Sequence, residues 1–331
     1  MNVCIKLAGL PLLIATGALL CRANEPAPEI RRAIVSTIFV SSKTDAMEIR
    51  RAAPVLRTDA SGALTGITGY AGYRITGNET LQDIAAQGGS APALISTYNR
   101  LHVPPVAGQM LVVPQVQGAP AMLQSQPCVV ERGPQKLPRV ALTIDGGSDA
   151  DPVPQMLATL RERHLRLTFF LTGKFIENYP DLVRQMAADG HEFGNHSWSH
   201  PDMRKCSSDD IRRELLDTEH LLNVTAGATT RPFFRPPFGE YDDHVLLAAE
   251  DAGFLPVYWT LDALDSVGQT KFASFLVQRV TSRLSADEMR GAIILMHCGN
   301  ASTAEALPPI LDRFASMGLE VVPLSRLLNA Q

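Results

Sequence analysis

The stretch R-V-A-L-T-I-D-G-G-S-D-A-D-P-V-P-Q-M-L-A-T-L, residues 139–160, decides the fold. Its first part, Arg139 to Asp145, is an apolar strand. A glycine pair follows, and Asp151-Pro152 opens a helix with proline at its first position. The apolar positions Val153, Met156, Leu157 and Leu160 give that helix one inward face. The same alternation continues to the C-terminus. Leu167 to Leu171 reads as a strand, followed by a helix through Leu182 and Met186 to Gly190, and a third strand leads into the histidine-rich stretch 191–201. Ser207-Ser208-Asp209-Asp210 caps a helix with Ile211, Leu215 and Leu222 inward. Strands near Phe233, Leu255 to Trp259 and Ala292 to Met296 follow, with helices near His244 to Ala252 and Phe272 to Leu284. A last helix near Ala304 to Met317 precedes a strand at Leu319 to Val322. Some seven strand-helix pairs in about 200 residues predict an α/β fold, a distorted parallel (β/α) barrel of about seven strands. Periodicity alone leaves an open parallel sheet as the alternative.

Upstream, the chain divides by composition. Lys6 and the apolar run Leu7 to Leu20 are too short to span a bilayer, so residues 1–23 read as an export signal, with no membrane span expected; a lipid anchor on Cys21 is the alternative, against which Leu20 before it counts. Residues 24–70 form a lead-in in which only Ala33 to Ser41 resembles a strand. From Tyr73 a strand, a Gly77-Asn78 turn and a Thr80-capped helix bearing Leu81, Ile84 and Ala85 are predicted. Gly88-Gly89 end that helix, a second carries Leu94, Ile95 and Tyr98, and Leu111 to Val113 close the unit as a strand. This small βααβ unit, residues 71–115, resembles a LysM module in its T-L-x-x-I-A core, Asn99 and G-x-x-L ending. The resemblance implies binding to polysaccharide containing N-acetylglucosamine, in the cell wall or in chitin, with Asn99 as a glycan-binding position. Residues 116–127, rich in Gln, Gly, Pro and Ala, read as a linker to a catalytic domain at 128–331.

Hydrophobic residues make up 45% of the 331 and charged residues 19%, which suits a globular chain with a sizeable core. A net charge of −4 offers no basic face for a phosphate backbone, so nucleic acid is not an expected partner. If the chain is exported, Cys128, Cys206 and Cys298 are candidates for a disulfide; the alternative is that all three are buried small hydrophobes.

In a parallel barrel, functional side chains gather at the C-terminal ends of strands. Five such ends carry polar clusters: Asp145 with Gly146-Gly147; His196 and His200; Arg235-Pro236-Pro237-Phe238; Trp259 with Asp262 and Asp265; and Leu295-Met296-His297. His196 and His200 are four apart, and on a helical turn both imidazoles would face one divalent ion. The order and spacing resemble the polysaccharide deacetylases of the NodB homology type, carbohydrate esterase family four, across 128–328. The H-[ST]-x-x-H, R-x-P-[YF] and L-x-H signatures of that family match in full.

The resemblance implies an exported hydrolase that removes N-acetyl groups from amino-sugar polymers, peptidoglycan or chitin-like. Its cofactor would be a divalent metal, zinc first, with cobalt, nickel and manganese as alternatives, held by His196 and His200. Such a hydrolysis needs a base, an acid and a stabilised oxyanion. Asp145 would be the base held by Arg235, and His297 the acid oriented by Asp265 and, less directly, Asp262. The backbone near Phe238 would join the oxyanion site, and Trp198, Phe238, Trp259 and Leu295 would line the substrate groove. Two positions depart from the family pattern: Gly146 stands where a second Asp supplies a metal ligand, and Ser266 stands where a Trp follows Asp265. A glycan-binding protein with weak or silent catalysis is therefore the competing expectation, and an esterase acting on O-acetyl groups at the same site is a third, against which the LysM resemblance counts.

Overall fold

The computed structural model describes residues 57–58, 64–119, 123, 125, 127–147 and 149–329. The signal expected at 1–23, most of the lead-in and the strand expected at Ala33 to Ser41 lie outside them. The described chain opens with a short antiparallel pair, β1 (Arg57–Thr58) and β2 (Leu64–Thr65). The βααβ unit follows as β3 (Ile67–Arg74), α1 (Leu81–Gly88), α2 (Pro92–Tyr98) and β4 (Met110–Val116), its two strands antiparallel. Thr80 and Asp83 form a reciprocal capping box on α1, and Gly89 ends it in the left-handed conformation. Ile84, Ile95, Leu111 and Val113 are the buried centre of this unit.

The larger body alternates as the sequence predicts. It runs β5 (Arg139–Gly146), α3 (Val153–Glu162), β6 (Thr168–Leu171), α4 (Gly173–Asn178), α5 (Pro180–Ala188) and β7 (Glu192–Asn195). Then come α6 (Ser208–Ala226), β8 (Phe233–Phe234), α7 (Asp243–Asp251), β9 (Leu255–Pro256) and β10 (Leu261–Asp262). The chain finishes with α8 (Ala273–Ser282), α9 (Ala286–Met289), β11 (Ile293–His297), α10 (Ala301–Ser316), β12 (Glu320–Val321) and α11 (Leu324–Leu328). Among the described residues no helix is long and apolar enough to cross a membrane.

Seven strands in the order β10-β11-β5-β6-β7-β8-β9 form one parallel sheet, with β12 added against β5. The strand expected over Leu255 to Trp259 is short, because the chain bends there to bring the two sheet edges together. Tyr258 N donates to Val130 O at 2.8 Å, and Thr260 N donates to Ile293 O at 2.8 Å. Bridges from Val130 to Val257 and from Arg132 to Ala292 stitch the same gap, so the sheet is a curled barrel. The residues predicted to face inward on α3 and α6 are all buried.

The βααβ unit packs directly on the barrel. Tyr98, Met110 and Val112 share one apolar cluster with Phe170, Phe233, Leu255 and Val257. Tyr98 Oη donates to Gly253 O at 2.5 Å and accepts from Arg231 Nη1 at 2.6 Å. Arg231 in turn lies over the rings of Phe254 and Tyr70. Arg100, from the loop after α2, reaches Glu192 Oε2 at 3.0 Å and Thr229 O at 2.8 Å. Asn99 turns inward. Its Nδ2 donates to Ile95 O and Val112 O while its Oδ1 accepts from Val112 N, so its hydrogen bonds are spent inside the unit and are not offered to a glycan.

Cys128, Cys206 and Cys298 are all free thiols, so the expected disulfide does not form among them. Cys128 instead donates to Glu250 Oε1 at 2.9 Å in the seam between α7 and β3. A Cβ on residue 72 would stand 2.5 Å from Glu250 Oε2, so a side chain there would displace the carboxylate. Burial pushes the Glu250 carboxyl up to about 7 from 4.5, against the hydrogen bonds from Cys128. Because its folded pKa is raised, its stabilising contribution is complete below about 4.5 and is lost as pH rises through 7. That loss should be roughly 3 kcal/mol. Melting curves across this range should show a fall for the parent chain that Glu250→Gln flattens; parallel curves would remove Glu250 from that role.

Candidate active site

The functional side chains meet because parallel strands all point their C-terminal ends at one mouth of the barrel. Asp145 ends β5 and His297 ends β11, and the two are paired in the strand register. Arg235 follows β8, and Asp262 ends β10. Together with His196, His200, Phe238, Trp259 and Leu295 these residues line a cleft of about 500 Å³, except Arg235, which lies beneath it.

Asp145 and Arg235 are the buried foundation. Arg235 is 0% exposed, donates through Nη1 to Asp145 Oδ1 at 2.6 Å and through Nη2 to Tyr258 O at 3.2 Å, and lies 4.1 Å above the Phe170 ring centroid. Burial alone would raise the Asp145 pKa. The Arg235 guanidinium, with His196 and His297, reverses this and holds the carboxyl below its ordinary value. Arg235 leaves Oδ2 toward His196, whose Nε2 is 3.5 Å away.

The two histidines come together differently from the expected helical turn. Residues 196–202 are a loop, and Ser197 and His200 both take the left-handed conformation, at φ 64° and 59°. Glu214 on α6 supports this shape by accepting from the backbone of Trp198 and Ser199, each at 2.7 Å, and from the Ser199 hydroxyl. Asn195 Oδ1 accepts from Ser197 N, and Ser197 Oγ accepts from His200 N. The imidazoles end 4.8 Å apart, centre to centre. His196 Nδ1 donates to Arg235 O at 2.9 Å, which fixes the free lone pair on Nε2. Burial depresses both histidines, His196 to about 4, so each is neutral at pH 7 as a metal ligand must be. His191, the third histidine of the stretch, is structural: its Nδ1 accepts from Leu167 N, and its ring edges onto Phe169.

His297 is set opposite. Its Nδ1 lies 2.8 Å from Asp265 Oδ1, and its backbone N donates to Asp265 Oδ2 at 2.8 Å. Thr303 Oγ1 holds the same Oδ2 at 2.8 Å. Burial pulls the His297 pKa down, but the Asp265 hydrogen bond and the charges of Asp145, Asp265 and Asp262 raise it above its ordinary value. Orientation thus falls to Asp265. Asp262 accepts from Leu264 N at 2.7 Å and acts on His297 only through space.

Phe238 is 65% exposed, at φ 61°, with its ring 4.4 Å from His200. Trp259 stacks on Tyr258 at 3.8 Å and lines the cleft. Trp198 does not join them: its ring lies over Gly173, where a Cβ would meet it at 2.4 Å. The anchors Glu214 and Thr303 carry no signal in the sequence, because each acts on a loop distant along the chain.

Two neutral imidazoles suit a divalent ion, so His196 and His200 fit part of the donor set that the family resemblance implies. The third place does not. A Cβ on residue 146 would lie 2.7 Å from Leu171 Cδ2, 3.2 Å from Cys298 Sγ and 3.6 Å from Phe175 Cδ2, so apolar atoms surround it. Asp149, the nearest acidic substitute in the loop, is exposed and accepts from Asp151 N at 3.1 Å. Among the described residues no group of three His, Cys, Asp or Glu is spaced to share an ion.

A family model described as polysaccharide deacetylase matches residues 132–257. A peptidoglycan-N-acetylglucosamine deacetylase of Bacillus cereus is 32% identical over 196 residues, covering 58% of this chain and 69% of that one. A chitooligosaccharide deacetylase of Bradyrhizobium is 30% identical over 202 residues, covering 57% and 90%. Among solved structures, a CE4 family pseudoenzyme from Bacillus anthracis superposes with a TM-score of 0.57 at 29% identity, covering 63% of this chain and 72% of that one. A mutant of that pseudoenzyme, described as having restored enzymatic activity, superposes equally well. The chain belongs to the polysaccharide deacetylase family, the NodB-homology enzymes of carbohydrate esterase family four.

Filling the space at residue 146 should be costly. Gly146→Asp is expected to destabilise the fold by about 1–3 kcal/mol through overpacking against Leu171. Leu171→Ala should therefore cost less in the Gly146→Asp background than in the parent chain in denaturant titrations. A stable single variant that binds zinc more tightly in calorimetry would show that the site accepts the carboxylate freely.

Proposed function

We propose that this chain is an N-deacetylase of amino-sugar polymers, peptidoglycan or chitin-like, exported through residues 1–23. The observation that carries this reading is the opposed pair across one cleft: a buried, ionised Asp145 clamped by Arg235, and a His297 oriented by Asp265. Asp145 Oδ2 takes the proton of the attacking water, and Arg235 keeps the other oxygen fixed so that the carboxylate presents one basic edge. His297 holds a proton on its cleft-facing Nε2 and delivers it to the departing sugar amine, while Asp265 keeps Nδ1 protonated and the ring aligned. When bound by His196 and His200, a divalent ion, zinc first, supplies polarisation of the acetyl carbonyl and a more acidic water. Phe238 and Trp259 offer faces on which a sugar ring stacks.

The βααβ unit supports a role in holding the polymer, as in LysM modules. An open groove of about 660 Å³ runs between Gly77 to Gln82 and Leu101 to Ala107 on its surface. The second reading, a glycan-binding protein with silent chemistry, is favoured by Gly146 and by the pseudoenzyme among similar structures.

Acetate release from N-acetylated chitooligosaccharides and from peptidoglycan, with and without added zinc or cobalt, separates the two. Release that falls roughly 1000-fold in Asp145→Asn supports catalysis by this base. Intact glycan binding without acetate under every metal would establish the silent reading instead.

A further inference from the structure

Ser266 is the residue that this site holds where the family pattern has tryptophan, and its surroundings give it chemistry of its own. It is exposed at the rim and lines the same cleft as Asp145 and His297. Its Oγ lies 3.3 Å from His297 Nε2, while His297 Nδ1 lies 2.8 Å from Asp265 Oδ1. Asp265 is fully buried at its side chain and is held by the Thr303 hydroxyl and the His297 backbone N–H. Hydroxyl, imidazole and carboxylate therefore stand in line, in the relation of nucleophile, base and orienting group that activates a serine. Asn300 lines the same wall. One N–H of its amide is given to Asp265 O at 3.0 Å, and the amide has a second.

We propose that Ser266, His297 and Asp265 form an acyl-transfer triad that removes acetyl groups from sugar hydroxyls through an acetyl-serine intermediate. This route shares His297 with the deacetylation read above but needs neither Asp145 nor the His196–His200 pair. In the first half, starting from the neutral form of His297 with Nε2 unprotonated, Ser266 Oγ bonds to the ester carbonyl carbon as its proton passes to His297 Nε2. The bond from that carbon to the sugar oxygen breaks, and the sugar oxygen takes the proton from His297. In the second half, water attacks acetyl-Ser266 and gives a proton to His297, the Oγ–carbon bond breaks, and Ser266 regains its proton as acetic acid leaves. An ester suits the route better than an amide, because amide resonance would have to be broken without an electrophile on the carbonyl. Asp265 aligns the imidazole for both halves, and the second Asn300 N–H is the donor for the oxyanion.

The test uses the full chain with p-nitrophenyl acetate in the presence of a chelator, quenched in acid and mapped by peptide mass spectrometry. One acetyl group on Ser266 and a pre-steady-state burst are expected. Ser266→Ala should lose both, and Asp265→Asn should slow acylation at least tenfold. Acetyl found on His297 or elsewhere, or a burst unchanged in Ser266→Ala, would overturn the triad. Acetate release from chitooligosaccharides is followed in parallel samples without chelator and with added zinc or cobalt. Labelled Ser266 without that release leaves the triad and removes the N-deacetylase reading, whereas release without labelled Ser266 does the reverse.

Discussion

The site depends first on one buried ion pair. Asp145 lies on β5 and Arg235 follows β8, strands that are not neighbours in the sheet, and both side chains have left water. Removing charge from solvent costs several kcal/mol per ion, and the pair recovers this only with good geometry and further partners. The geometry here is short and direct, and Tyr258 O, the Phe170 ring and His196 add to it, while Arg235 Nε is left without a hydrogen-bond partner. The same contact holds Asp145 ionised, and Arg235 O sets the tautomer of His196. One residue thus fixes the state of Asp145 through its guanidinium and that of His196 through its backbone carbonyl.

The barrel was legible because its pattern is repetitive. Apolar strands followed by amphipathic helices admit few arrangements, and parallel strands oblige their C-terminal residues to converge. The sequence pattern alone therefore brings Asp145, His196, Arg235, Asp265 and His297 to one end of the barrel. The local shape of the histidine loop could not. A spacing of four suggests a helix, but Glu214 on α6 captures the backbone of Trp198 and Ser199 and supports left-handed turns at Ser197 and His200. Residue type also failed to tell which way a side chain faces. Trp198 lies over Gly173 rather than in the cleft, and the Asn99 amide is consumed by its own unit. Gly146 marked a departure in the sequence; that its missing side chain would meet Leu171 and Cys298 became visible only from the packing.

The loss of a carboxylate at 146 and the gain of a hydroxyl at 266 belong to the same cleft. The first would leave only two imidazoles for the ion proposed above, and the second places a hydroxyl beside an imidazole already aligned by Asp265. A shared acid or base such as His297 lets one scaffold support different acyl chemistries with few substitutions, since fold does not dictate reaction.

The seating of the βααβ unit also sets where this protein can be divided. Tyr98, Met110 and Val112 complete the apolar cluster that contains Phe170, and Phe170 is the ring beneath Arg235. A fragment beginning at the apparent boundary near residue 128 would therefore cut through a shared interior. It would expose the barrel's lower layer to water and soften the floor on which the Arg235 and Asp145 contact rests. The small N-terminal unit is thus a stopper in the barrel as well as a candidate glycan holder.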